Sequence, residues 1–167
     1  DAIECWNDAI RAGIHDHLPY RNLALAHWHG EQDYETAYDL MGKASDLAPS
    51  DPDCLRDMDV LAELSGAHED RPGIAARILE FAPDDSSCLE RAIRIFVETD
   101  RLDEAVELLT TKQFFVAELE YQTRILYVRA LLMLGTKHFE AGRFTEAASD
   151  FRRATEYPEN LGAGRFH

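Results

Sequence analysis

No apolar run in this sequence approaches the ~20 residues that a membrane-spanning helix needs. The best candidate, Leu126 to Gly135, has ten residues and is interrupted by Arg129. Cysteine is scarce as well. Cys5, Cys54 and Cys88 are an odd set without CxxC or paired spacing, which argues against a disulfide framework and fits a reduced, cytoplasmic compartment. Basic residues number 17 against 32 acidic ones, for a net charge of −15. The imbalance is local: residues 1–84 hold 18 acidic and 6 basic side chains, whereas 85–167 hold 14 and 11. Such a chain repels phosphate backbones and anionic lipid, so neither nucleic acid nor a membrane is an expected partner. No secretory leader is read, because Asp1, Glu4, Asp8 and Asp16 stand where a basic start and an apolar run belong. The start on Asp1 rather than Met leads us to expect a processed chain or an excised piece.

Chemistry-bearing constellations are thin. His15-x-His17 and His27-x-His29 invite a metal reading, but on a helix side chains two apart point nearly opposite ways, so His27 and His29 cannot chelate together. His15 and His17 are expected in a loop with Asp16, where only weak surface binding is open to them. No cluster at structural-zinc spacing accompanies them, so no metal and no cofactor are expected. Gly162-Ala163-Gly164-Arg165 superficially resembles a phosphate loop, yet it follows a helix and a proline rather than a strand. No serine or cysteine stands in a nucleophile pattern, and enzyme activity is not expected.

A 34-residue step organises what is present. Ala37 and Ala105 lie 68 apart, while Pro49 and Pro83, Cys54 and Cys88, and Leu40, Ile74 and Leu108 each recur at 34. A period of that length predicts an all-α, right-handed α/α superhelix of stacked helix pairs, about nine helices in all. The clearest unit is Leu131-x2-Leu134-Gly135-x2-His138, then Phe144, Ala147-x3-Phe151-x2-Ala154 and Pro158. This is the tetratricopeptide pattern, with His138 in place of the usual Tyr and no Trp at Leu131. Gly135 and Ala147 are expected to face each other and let the two helices approach, with Phe151 filling the groove.

A single repeat domain follows, with a half unit at 1–14, pairs at 18–50, 51–84, 85–112 and 119–159, and a tail at 160–167. The helix near 72–81 looks degenerate, since Arg71 stands where a small Ala belongs. From Ala105 to Ala147 is 42 residues, eight over one repeat, which predicts a turn near 110–113 and a lengthened helix over about 119–140. Its stretch Leu126 to Gly135 is apolar almost all round, so burial under Phe114-Phe115 or against another chain is expected. Much of the acidity sits at predicted helix starts: Asp51-Pro52-Asp53, Asp84-Asp85-Ser86 and Asp103-Glu104.

The last third carries more specific motifs. Phe114-Phe115-Val116, Leu126-Tyr127-Val128-x-Ala130-Leu131-Leu132-x-Leu134-Gly135, Glu140-Ala141-Gly142-Arg143-Phe144 and Glu156-Tyr157-Pro158-Glu159-Asn160-Leu161-Gly162 stand in succession. Over roughly 110–165 the chain resembles bacterial proteins that join a β-rich N-terminal domain of unassigned function, often encoded near sugar-metabolism genes, to tetratricopeptide-like repeats. The resemblance implies that this chain is the repeat portion of a larger protein.

The expected role is therefore a protein-interaction or assembly scaffold. The runner-up is an accessory domain of a carbohydrate-active enzyme whose site lies elsewhere. In a tetratricopeptide array the first helix of each pair lines the concave groove, which here presents Asn22, His29, Arg56, Glu63, Glu90, Arg94 and Arg129 as candidate binding residues. The alternative is a wet groove without a ligand. The chain is also expected to open on the second helix of a pair, with Ala2-x3-Trp6-x2-Ala9 and a stripe of Ile3, Trp6 and Ile10 left uncovered. A symmetric homodimer, or docking on the protein's own N-terminal part, is the expectation that follows.

Overall fold

The computed structural model describes residues 2–114 and 117–161. Phe115, Val116 and the tail from Gly162 onward, with its glycine-rich stretch, lie outside the described residues. Among the described residues there are nine α-helices and no strand. The chain divides into two compact units, Asp1–Cys88 and Leu89–His167.

The first unit holds α1 (Ala2–Arg11), α2 (His17–Ala26), α3 (Tyr34–Leu47), α4 (Pro52–Ser65) and α5 (Arg71–Phe81), and each packs on the next in sequence. Aspartate starts most of these helices. Asp16 Oδ1 accepts from the Leu18 N–H at 3.0 Å, Asp33 from Thr36 at 3.2 Å and Asp51 from Asp53 at 2.9 Å. Pro52 at the first turn of α4 has no N–H to strand. Gly66, at φ 83°, ends α4 in the left-handed conformation that glycine adopts without strain. His17 is thus the first residue of α2 rather than a loop residue, because Asp16 caps it. The last turn of the first helix of the pair, His27–Glu31, is a π-turn closed by Gln32 at φ 55°.

At the start of α5 the misfit Arg71 is accommodated rather than excluded. Its guanidinium donates to both carboxylate oxygens of Asp59 on α4, at 2.7 and 3.3 Å, with both residues buried. A two-pronged, charge-assisted pair meets the desolvation of both ions. Nearby, Tyr38 on α3 donates to Asp70 at 3.0 Å. Burial first, then that carboxylate, pushes the Tyr38 hydroxyl up to about 12.

α6 (Ser86–Glu98) begins at the end of the first unit, where Asp85 Oδ1 accepts from the Cys88 N–H at 2.8 Å, and runs into the second. The second unit continues with α7 (Leu102–Thr111), α8 (Ala117–Glu140) and α9 (Phe144–Arg153). α8 packs against both α7 and α9. Its 24 residues absorb the eight-residue excess seen in the sequence. Phe114 is buried ahead of it. In the chain's closing segment Asn160 donates to the carbonyls of Leu109 and Lys112, at 2.8 and 2.6 Å, which ties it to the end of α7.

The last helix pair shows why small residues matter. A Cβ on Gly135 would lie 2.7 Å from the Phe151 ring, so it is the phenylalanine that occupies the space beside the glycine. Ala147 is buried at 2% exposure, whereas Phe151 keeps one side in water at 36%. His138 Nδ1 sits 2.7 Å from the buried Asp150, a polar link across the same pair.

Three substitutions test this packing by thermal and urea unfolding. Asp59→Ala takes the two-pronged carboxylate away from a buried guanidinium and should cost about 3–5 kcal/mol. Ala147→Leu should overpack the last pair and cost about 1–3 kcal/mol. Gly135→Ala should fall near neutral, because the half-exposed Phe151 ring can swing outward while alanine gains up to about 1 kcal/mol of helix propensity. An Ala147→Leu protein as stable as the parent would sink the repeat alignment.

Candidate interaction surface

In the first unit, polar side chains of α2, α4 and the start of α6 form a continuous charged network. The Arg21 guanidinium bridges Asp53 and Asp57 at 3.4 and 3.5 Å, while its buried Nε has no hydrogen-bond partner. Arg56 pairs with Asp53 one turn away and donates to Ser87 Oγ at 2.9 Å. Ser87 in turn donates to Asp85 at 2.7 Å. Burial lifts the Asp57 carboxyl above the usual aspartate range, against the opposing pull of Arg21. Burial works on Asp85 too, but hydrogen bonds from Ser87 and the Cys88 N–H outweigh it and hold its carboxyl low.

The seven groove positions expected from sequence are thus unequal. Arg56 is already engaged by Asp53 and Ser87. Glu90 and Arg94 pair with each other one turn apart on α6, with Glu90 buried. Asn22 is half-buried on α2, and Glu63 is exposed on α4. His29 is exposed in the π-turn, stacked on Trp28 with ring centroids 4.6 Å apart. Arg129 is exposed on α8 with no hydrogen bond or ion pair to any described residue.

Sequence reasoning missed one cluster and foresaw another only in outline, as the apolar stretch Leu126 to Gly135 expected to lie under Phe114-Phe115 or against another chain. The π-turn brings His27, Glu31 and Asp33 together, with their ligand-type atoms within 4.8 Å of one another. His27 Nδ1 is 3.0 Å from Glu31 and 3.9 Å from Asp33. The i, i+4 spacing of His27 and Glu31 is a signal that attention to His-x-His obscured.

The second lies on α8. Ile125, Val128, Arg129, Leu132 and Met133, with Tyr157 beyond α9, line an open groove of about 500 Å³. Ile125, Leu132 and Tyr157 are 43%, 47% and 54% exposed. Positions 125, 128, 129, 132, 133 and 136 follow helical spacing and form one face. α8 therefore buries Leu126, Tyr127, Ala130, Leu131 and Leu134 and leaves a second apolar stripe uncovered. Arg124 braces the groove, donating to the Leu161 carbonyl at 2.8 Å with its guanidinium 5.3 Å from the Tyr157 ring centroid.

No family model matches the chain. Solved structures do. A crystal structure of MamA aligns over 92% of this chain and 84% of its own, with a TM-score of 0.53 and 12% identity. MamA 41-end from Desulfovibrio magneticus RS-1 aligns over 92% and 81%, with a TM-score of 0.51 and 13% identity. A MamA RS-1 double mutant aligns over 93% of each chain at 0.50 and 13%. The fold is tetratricopeptide-like. At such identity the likeness concerns the fold alone. Within this tetratricopeptide-like frame no described helix is long and apolar enough to cross a membrane.

The cysteines bear on reactivity. Cys54 and Cys88 are buried free thiols, and burial, reinforced by Asp51 and Asp85 respectively, pushes both up to about 12. They stay protonated at neutral pH and are poor nucleophiles. Cys5 is exposed. A thiol-reactive chromophore should therefore titrate one group quickly in the native protein and three after denaturation without reductant. A denatured count of one would mean that Cys54 and Cys88 are bonded to each other.

Proposed function

We propose that this chain is a protein-interaction and assembly scaffold without chemistry of its own, the repeat module of a larger bacterial protein. The observation that carries this reading is the uncovered face of α8. A stripe with Ile125 and Leu132 nearly half exposed is costly in water and marks a surface meant to be covered. Rigid, sequence-adjacent helix pairs supply the platform. The tetratricopeptide-like fold suits a scaffold, because stacked helix pairs present an extended surface, and the closing Tyr157-Pro158-Glu159-Asn160-Leu161 motif supports the bacterial parent. Of the positions read from sequence, Arg129 leads the binding set, since its charge is unspent. Asn22, His29 and Glu63 follow, and Arg56, Glu90 and Arg94 act mainly by shaping the helices they tie.

A photo-crosslinking amino acid at position 132, introduced in the producing cells, tests the proposal. Discrete protein adducts at 132, absent when the probe replaces Thr145 on α9, are expected. Only background adducts at 132, and equally none at 63, would overturn the scaffold reading.

A further inference from the structure

The α8 groove also constrains the chemistry of what covers it. Its exposed stripe from Ile125 to Thr136 spans three turns, about 16 Å at 1.5 Å per residue. Side chains spaced i, i+3, i+4 and i+7 form ridges that receive the ridges of another helix, and no described strand edge offers main-chain pairing instead. Met133 lines the groove, and a methionine adapts its shape to an incoming side chain.

Charge narrows the choice further. By sequence α8 balances Arg124, Arg129 and Lys137 against Glu118, Glu120 and Glu140, but its exposed stripe from 125 to 136 carries Arg129 and no acidic residue, in a chain whose net charge is −15. Two of those cations are already used: Lys137 pairs with Asp100, and Arg124 is bound to the Leu161 carbonyl. Only Arg129 of the three stands in the groove wall with no ion pair to a described residue. A guanidinium held beside apolar side chains favours a carboxylate that arrives with the apolar ligand, because both are desolvated together.

We infer that the groove receives an amphipathic helix of a partner protein, one that sets apolar residues on Ile125, Val128 and Leu132 and a glutamate or aspartate on Arg129. This inference rests on the scaffold reading and names the partner's chemistry. It makes the free guanidinium the element of selection and the apolar stripe the source of affinity.

The test uses the full chain and two fluorescent synthetic helices of about 14 residues, each confirmed helical by circular dichroism. They share one leucine stripe and differ only in flanking glutamates or glutamines. Anisotropy should show the glutamate helix binding about ten-fold tighter at low salt, with the gap closing near 0.5 M salt. Arg129→Gln should bring the two helices within about two-fold of each other, and Leu132→Asp should weaken both about ten-fold or more, with unchanged thermal melts. Equal binding of both helices to the parent protein, or binding of neither, would overturn the inference. So would sedimentation revealing a dimer that Leu132→Asp dissociates, because the occupant would then be a second copy. Equal binding with adducts still formed at position 132 would leave the scaffold reading standing, whereas background adducts alone at both 132 and 63 remove that reading itself.

Discussion

Close approach between neighbouring helices is the constraint on which everything else in this molecule depends. α2 to α8 each carry at least one alanine with no exposed surface: Ala24, Ala37, Ala44, Ala62, Ala75, Ala92, Ala105 and Ala130. Ala147 does the same for α9 at 2% exposure, and Gly135 opposite Phe151 is the extreme case. Small side chains let backbones come near enough for the larger residues on either side, such as Leu61, Ile78, Ile93 and Leu131, to interlock at high density. A residue as large as leucine at one of the buried alanines would push two helices apart, whereas at Gly135 the part-exposed Phe151 ring can yield to a single methyl group. That is why the pattern repeats even where little else in the sequence does.

The same constraint explains what could be read before the structure was known. Burial of an alanine at the same place in successive pairs leaves a trace, so Ala37 and Ala105, two repeats of 34 apart, and Ala147, after the eight-residue excess, located the second helices of their pairs. Aspartate caps announced helix starts with equal clarity at Asp51 and Asp85. Partnerships between polar residues left no such trace. Asp59 and Arg71 are 12 apart on different helices, and nothing in their spacing says that the arginine enters the core instead of breaking the repeat. The groove set met the same difficulty. A period assigns a residue to a face but is silent on whether its charge is already neutralised, as it is for Arg56, Glu90 and Arg94 and is not for Arg129.

Part of the chain's acidity has an architectural origin in the first unit. Asp16, Asp33 and Asp51 bind backbone N–H groups at the starts of α2, α3 and α4, and Asp85 does so at the start of α6. Asp53, Asp57 and Asp59 are matched by arginines. Under the scaffold proposal, what remains for recognition is less the total charge than its exceptions. Arg129, on an apolar face and without an ion pair to a described residue, is the clearest of these.

The π-turn at His27–Glu31 has a consequence for how the chain tolerates changes in length. A π-turn holds one residue more than the α-turn it replaces. Deleting that residue would return the turn to ordinary helix, and adding it back would restore the bulge. Downstream phase is insulated from either event, because α3 takes its start from the Asp33 cap rather than from the rotation of the helix before it. Segment 27–33 thus works as an expansion joint: evolutionary drift in residue number can be absorbed there while the buried faces of α2 and α3 keep their alignment.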